Sequence, residues 1–144
     1  MPANDMYAQI KDFDKQYIPF PTFVAATSAI EGNLKLFQET GIAKHLLIIG
    51  EPGAGKTSLC KWLKRKHPVV RLLDRDKTAV LIVKVPPAAT VPGIIDAMLR
   101  ELGDPWYGRG SITDKTARVV TLCKGCGVEL MIFDEAQHLY DRGD

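Results

Sequence analysis

The stretch Gly50-Glu51-Pro52-Gly53-Ala54-Gly55-Lys56-Thr57 reproduces the full spacing G-x-x-x-x-G-K-[ST] of a phosphate-binding loop. Its chemistry requires glycines because the backbone must wrap closely round phosphate oxygens, with N–H groups turned inward where a β-carbon would crowd the ligand. Lys56 is placed to meet the terminal phosphates of ATP, and the Thr57 hydroxyl to ligate Mg2+. The expected nucleotide contacts therefore run through Gly50, Glu51, Pro52, Gly53, Ala54, Gly55, Lys56, Thr57 and Ser58. The run Leu130-Met131-Ile132-Phe133-Asp134-Glu135 supplies a complementary pair of carboxylates. A buried strand ending in Asp134 would deliver a second Mg2+ ligand to the mouth of a parallel sheet, and Glu135 could polarise the water that attacks the γ-phosphate. The catalytic expectation thus falls on Lys56 and Glu135, and the metal expectation on Thr57 and Asp134.

These groups need a strand before the loop and a helix after it. The apolar run at 45–49 reads as a short buried strand stopping at Gly50, and a helix should begin within 55–57 and end near Lys66, ahead of Pro68. Ser28 and Glu31 have capping-box spacing for an earlier helix carrying Ile30, Leu34 and Phe37, with Gly41 as its stop. Residues 79–83 predict another buried strand, ended by Pro86-Pro87. Thr90 can cap a helix with Pro92 in its first turn and a stripe of Ile94, Ile95, Met98, Leu99 and Leu102 before Gly103. A further helix should start at Thr113 or Asp114 and end near Gly125, and residues 128–133 form the last expected strand. Strands alternating with helices imply an α/β fold with parallel pairing, because a parallel neighbour is reached only through a crossover.

Composition sets the outer limits. The 144 residues are 46% hydrophobic and 25% charged, the balance of one globular domain rather than a disordered tail. Nineteen Lys and Arg against seventeen Asp and Glu give a net charge of +2, so any basic surface must be local. No apolar run approaches the roughly 20 residues of a membrane helix and the first residues lack a signal-peptide layout, which makes a cytoplasmic location the expectation. Three cysteines are too few for a disulfide-stapled fold.

Weaker signals remain beside the phosphate loop. Lys61, Lys64, Arg65, Lys66, Arg71, Arg75 and Lys77 face only Asp74 and Asp76, a local +5 suited either to DNA phosphates or to a solvated helix face, the latter being the commoner origin. Trp106, Tyr107 and Arg109 lie in a turn-rich stretch that could face DNA or a partner, although a tryptophan more often plugs a core. Cys123 and Cys126 have metal-ligand spacing without a second pair, and His138 reads as a packing or hydrogen-bonding residue.

Taken together, the two phosphate-site motifs resemble an AAA+ ATPase core of three-layer, RecA-like P-loop type. Tyr17-Ile18-Pro19-Phe20-Pro21, Leu102-Gly103-Asp104-Pro105 and Asp134-Glu135-Ala136-Gln137-His138-Leu139 resemble the TniB-type transposition ATPases over most of the chain from Tyr17 onward. The resemblance implies an N-terminal arm over 1–16 and a partial nucleotide-binding core over 17–144. It further implies ATP hydrolysis with Mg2+, assembly as a homo-oligomeric ring or filament on DNA, recruitment of a transposase, and adenine contacts from Ile18 and Phe20. In such a sheet the sensor 1 strand lies between the phosphate-loop strand and the strand bearing Asp134, and it, the arginine finger and the helical lid would follow Asp144. A chain lacking that central strand is expected to be incomplete at its C-terminal side, marginally stable and nearly inactive. The alternatives are a secretion-related or other ATPase with the same Asp-Glu-Ala-Gln segment, and a nucleotide-gated binding module without productive hydrolysis.

Overall fold

The computed structural model describes residues 21–140. Helix α1 (Pro21–Thr40) starts well before Ser28, which is an exposed residue inside the helix rather than its cap. The helix extends toward the N-terminus because Phe23, Ala26 and Thr27 continue the inward stripe of Ile30 and Leu34. It stops where expected: Gly41 adopts φ +71°, and its N–H donates to the Phe37 carbonyl at 2.8 Å. Helix α2 (Lys56–Lys66) follows the phosphate loop and buries Leu59 and Leu63.

A small antiparallel hairpin, β1 (Val70–Arg71) with β2 (Asp76–Lys77), comes next, closed by a Leu72 N–H to Arg75 carbonyl bond. Strands of two residues carry no readable periodicity, so residue order does not mark this hairpin. Strand β3 (Val80–Lys84) leads to helix α3 (Val91–Glu101), where Thr90 caps as expected by accepting from the Gly93 N–H. Helix α4 (Ile112–Cys126) begins just before the expected start. Ser111 is its N-cap, Asp114 closes the capping box, and Gly127 ends the helix in the left-handed region. Strand β4 (Leu130–Asp134) then runs parallel to β3, in register from Val80 opposite Leu130 to Lys84 opposite Asp134. The crossover between them consists of α3 and α4.

Strand alternation assigns the two faces of this parallel pair. Val80, Ile82, Leu130 and Ile132 pack with Ile30, Leu34, Leu59 and Leu63 of α1 and α2. Leu81, Val83 and Met131 turn the other way, toward Ala97 and Met98 of α3. Helices therefore cover both faces of a mixed α/β unit, but the described residues build a parallel sheet of only two strands rather than a complete three-layer core. Helices α3 and α4 are joined by Lys115, whose ammonium lies 2.8 Å from Asp96 Oδ1 although Lys115 itself is buried.

The strand expected at 45–49 is not formed. Residues 41–50 contain no regular element and are exposed, with Leu47 at 75% and Ile49 at 85% of full exposure. An apolar run specifies a preference for burial, whereas a strand requires a neighbour to exchange N–H and C=O bonds with. Among the described residues no strand lies against this run.

Candidate nucleotide site

The phosphate loop is shaped by its glycines. Gly53 and Gly55 adopt φ of +83° and +90°, and the Ala54 N–H closes a turn on the Glu51 carbonyl at 3.1 Å. A β-carbon on Gly50 would meet that of Ala54 at 3.2 Å, a tight contact at the start of the loop. Gly55 stands at the N-cap of α2 with no side-chain cap, and Lys56 and Thr57 are the first helical residues. The opening N–H groups of the helix thus face the loop without intrahelical partners, which is the donor set an anion requires. Lys56 folds back across the loop, its Nζ donating to the carbonyls of Gly50 and, at 2.9 Å, Glu51. These donors, the left-handed glycines of the loop and the adjacent threonine hydroxyl fit a polyphosphate with its divalent cation.

Strand β4 brings Asp134 to the same side. Asp134 continues the alternation of Leu130 and Ile132, the residues that face α1 and α2. Its charge reaches Cys60 in the second turn of α2: burial first, then Asp134, push the Cys60 thiol up to about 11 against the opposing pull of Lys64. The strand's last residue and the helix fed by the loop are therefore neighbours.

Immediately beyond the strand, Glu135 occupies left-handed backbone at φ +60°, ψ +36°. Its N–H donates to Asp134 Oδ1 at 2.9 Å, and its carboxylate accepts from the Gln137 amide. His138 bonds through Nδ1 to the Val85 carbonyl at 3.1 Å, the hydrogen-bonding role its type suggested. Gln137 was not singled out in the sequence; its spacing two residues after Glu135 becomes meaningful only once the chain turns back on itself.

Comparison with known families finds that the family described as Bacterial TniB protein matches residues 10–143. The chain belongs to the TniB family. This is a family of P-loop NTPases associated with transposition, in agreement with the resemblance drawn from the Asp-Glu-Ala-Gln-His-Leu segment. No curated protein matches the chain.

The other sequence expectations for this TniB chain divide clearly. Ile18 and Phe20 lie outside the described residues, as do the 1–16 arm and the last four positions. Lys61, Lys64, Arg65 and Lys66 form the outer, exposed face of α2. Trp106 is not a core plug: it is 56% exposed, with the Arg109 guanidinium 4.7 Å from its ring centre and Arg100 facing Tyr107 at 5.9 Å. The loop bearing these rings is fixed from beneath. Arg118 donates to Asp104 Oδ2 and to the carbonyls of Trp106 and Arg109, each at 2.9 Å, while buried Asp104 accepts the Trp106 N–H. Cys123 and Cys126 are free thiols, and burial, followed by the neighbouring Cys126, raises the Cys123 pKa. Among the described residues no group of three or more His, Cys, Asp or Glu side chains is arranged to hold a metal, and no helix is long and apolar enough to cross a membrane.

Proposed function

We propose that this TniB chain binds Mg-ATP through residues 50–58 and Asp134 and belongs to an ATPase that acts on DNA during transposition together with a transposase. The observation that supports the reading is that α2, which the glycine-shaped loop feeds, packs on the face of the sheet to which strand alternation assigns Asp134, and that the charge of Asp134 is felt at Cys60 of that helix. In this reading Lys56 leaves the Gly50 and Glu51 carbonyls to neutralise the terminal phosphates, and the N–H groups at 53–57 hold their oxygens. Thr57 and Asp134 would hold Mg2+, which supplies charge neutralisation on the phosphates when bound. Glu135 would accept a hydrogen bond from the attacking water and orient it.

DNA is the partner proposed for the exposed surface. Trp106 and Tyr107, each faced by an arginine on a loop anchored through Arg118, supply stacking area and positive charge together, and the outer face of α2 adds further cations. Assembly into a ring or filament on DNA and transposase recruitment accompany this reading as the TniB family suggests.

The test is nucleotide affinity, followed with a fluorescent ATP analogue in the presence of Mg2+. Lys56→Ala should weaken binding at least tenfold, because no other side chain of the loop can neutralise the terminal phosphates. Unchanged affinity would remove the assignment. Stimulation of phosphate release by duplex DNA separates the transposition reading from a secretion-related ATPase, and binding without any release would favour a nucleotide-gated module.

A further inference from the structure

We propose that Gln137 is a positioning residue for Glu135, holding its carboxylate in one orientation by donating an amide hydrogen bond to Oε2 and leaving Oε1 to engage water. The proposal rests on the hydrolysis reading above. Its basis is a turn fixed far more firmly than a chain segment leaving a strand needs to be. Among the described residues the only non-glycine positions at positive φ are Glu135 and Ala88, at +60° and +51°. They stand on two segments bonded to each other: the Val85 N–H donates to the Asp134 carbonyl at 2.9 Å, His138 Nδ1 meets the Val85 carbonyl at 3.1 Å, and the Ala89 N–H reaches the His138 carbonyl at 3.4 Å. Val85 is fully buried, so this anchor belongs to the core and not to the surface.

Left-handed backbone at a glutamate is unfavourable and persists only where its surroundings impose it. Here the His138 anchor and the Ala136–Leu139 turn impose it, and the consequence is to bring Gln137 round onto the carboxylate two residues earlier. A glutamate with free χ angles would divide its time among several rotamers, of which few present an oxygen to a given water. The amide of Gln137 removes that freedom at one oxygen. Because Gln137 is itself exposed, its side chain contributes little to the core and its loss should leave folding intact. The contact therefore bears on the rate of the chemical step rather than on nucleotide affinity.

Steady-state hydrolysis and thermal melting of the protein carrying Gln137→Ala, Gln137→Glu, Glu135→Gln and the double change Glu135→Gln with Gln137→Ala decide the matter. Both Gln137 variants should lower kcat about 10- to 100-fold, with KM within about twofold and the melting temperature unchanged. The double variant should be no slower than Glu135→Gln alone, since a positioning residue has nothing to act on once the carboxylate is gone. The Gln137 side-chain NH2 resonances in a 15N-labelled sample give a readout independent of turnover: they should shift on Glu135→Ala and remain in place on Lys56→Ala. Unaltered kcat in the Gln137 variants, a further loss in the double variant, or NH2 resonances indifferent to Glu135 would each overturn the proposal. If Lys56→Ala and Glu135→Gln also leave turnover untouched, the hydrolysis reading falls with it. If those two act as expected and only the Gln137 variants are silent, the failure is confined to Gln137.

Discussion

Lys56 bonds to two carbonyls of its own loop, so a nucleotide gains the ammonium only by displacing contacts already made. Glu135 carries a different expectation from Lys56. Glu135→Gln should retain nucleotide affinity while slowing phosphate release by at least tenfold, because an amide cannot accept a proton or polarise water as a carboxylate does. Equilibrium binding measured beside single-turnover release tests that division. Glu31, between α1 and α2, gives a pH-dependent case. Burial would raise its carboxyl, but the hydrogen bond and charge of His67, and then those of Lys66, outweigh it and hold the pKa below 4.5. A depressed carboxylate contributes stability above its unfolded pKa and loses it as pH falls through the folded value. Glu31→Gln should therefore cost up to about 1 kcal/mol at neutral pH, as befits a partly exposed pair, and this difference in urea melts should shrink below pH 4.5.

At the scale of elements, the loop between α3 and α4 depends on one side chain. Arg118 binds the Asp104 carboxylate and two loop carbonyls, and Asp104 is buried. Arg118→Ala should destabilise the protein by about 1.5–3 kcal/mol by removing charge-assisted bonds and leaving that carboxylate with less compensation. Trp106 should become more mobile in the same variant, which fluorescence anisotropy in a Trp62→Phe background reads directly. Helix α2 separates its functions by face: Leu59 and Leu63 point to the sheet while Lys61 and Lys64 are exposed, and Lys66 reaches back to Glu31 of α1. If this face meets DNA, replacing Lys64, Arg65 and Arg71 together by Gln should weaken binding on all sequences and flatten its salt dependence by roughly one unit of slope per lost phosphate contact. An unaltered slope in a salt titration would return the face to a solvating role.

For the whole molecule, the decisive feature is the exposed apolar run preceding the phosphate loop. Leu46, Leu47, Ile48 and Ile49 together form a contiguous surface of the sort that drives self-association. Replacing Leu47 and Ile49 by Lys should reduce concentration-dependent association and binding of a hydrophobic dye, leaving the far-UV circular dichroism unchanged. In hydrogen exchange, the amides of 45–49 should exchange well before those of residues 80–83, which are paired and buried. Equal protection would mean that the run is covered in solution.

Much of this organisation could be read from residue order because its causes are local. The glycines of the phosphate loop allow the left-handed backbone seen at Gly53 and Gly55, Thr90 caps the helix that follows it, Gly41 terminates the one before it, continuous apolar runs identify β3 and β4, and the ends of α4 were legible to within about two residues, its cap being Ser111 and its stop Gly127. The phosphate-loop motif and the Asp134-Glu135 pair were likewise legible, since both are defined by spacing along the chain. What sequence could not decide depended on partners distant in the chain. The 45–49 run has strand composition but no strand to pair with among the described residues; Trp106 has core composition but lies outside because Arg118 and Asp104 close its loop beneath it. Gln137 meets Glu135 only because His138, anchored to Val85 more than fifty residues earlier, bends the chain after β4. Caps and turns are settled by forces within a few residues, whereas pairing, burial and the aim of a side chain are settled by whatever the rest of the fold brings alongside.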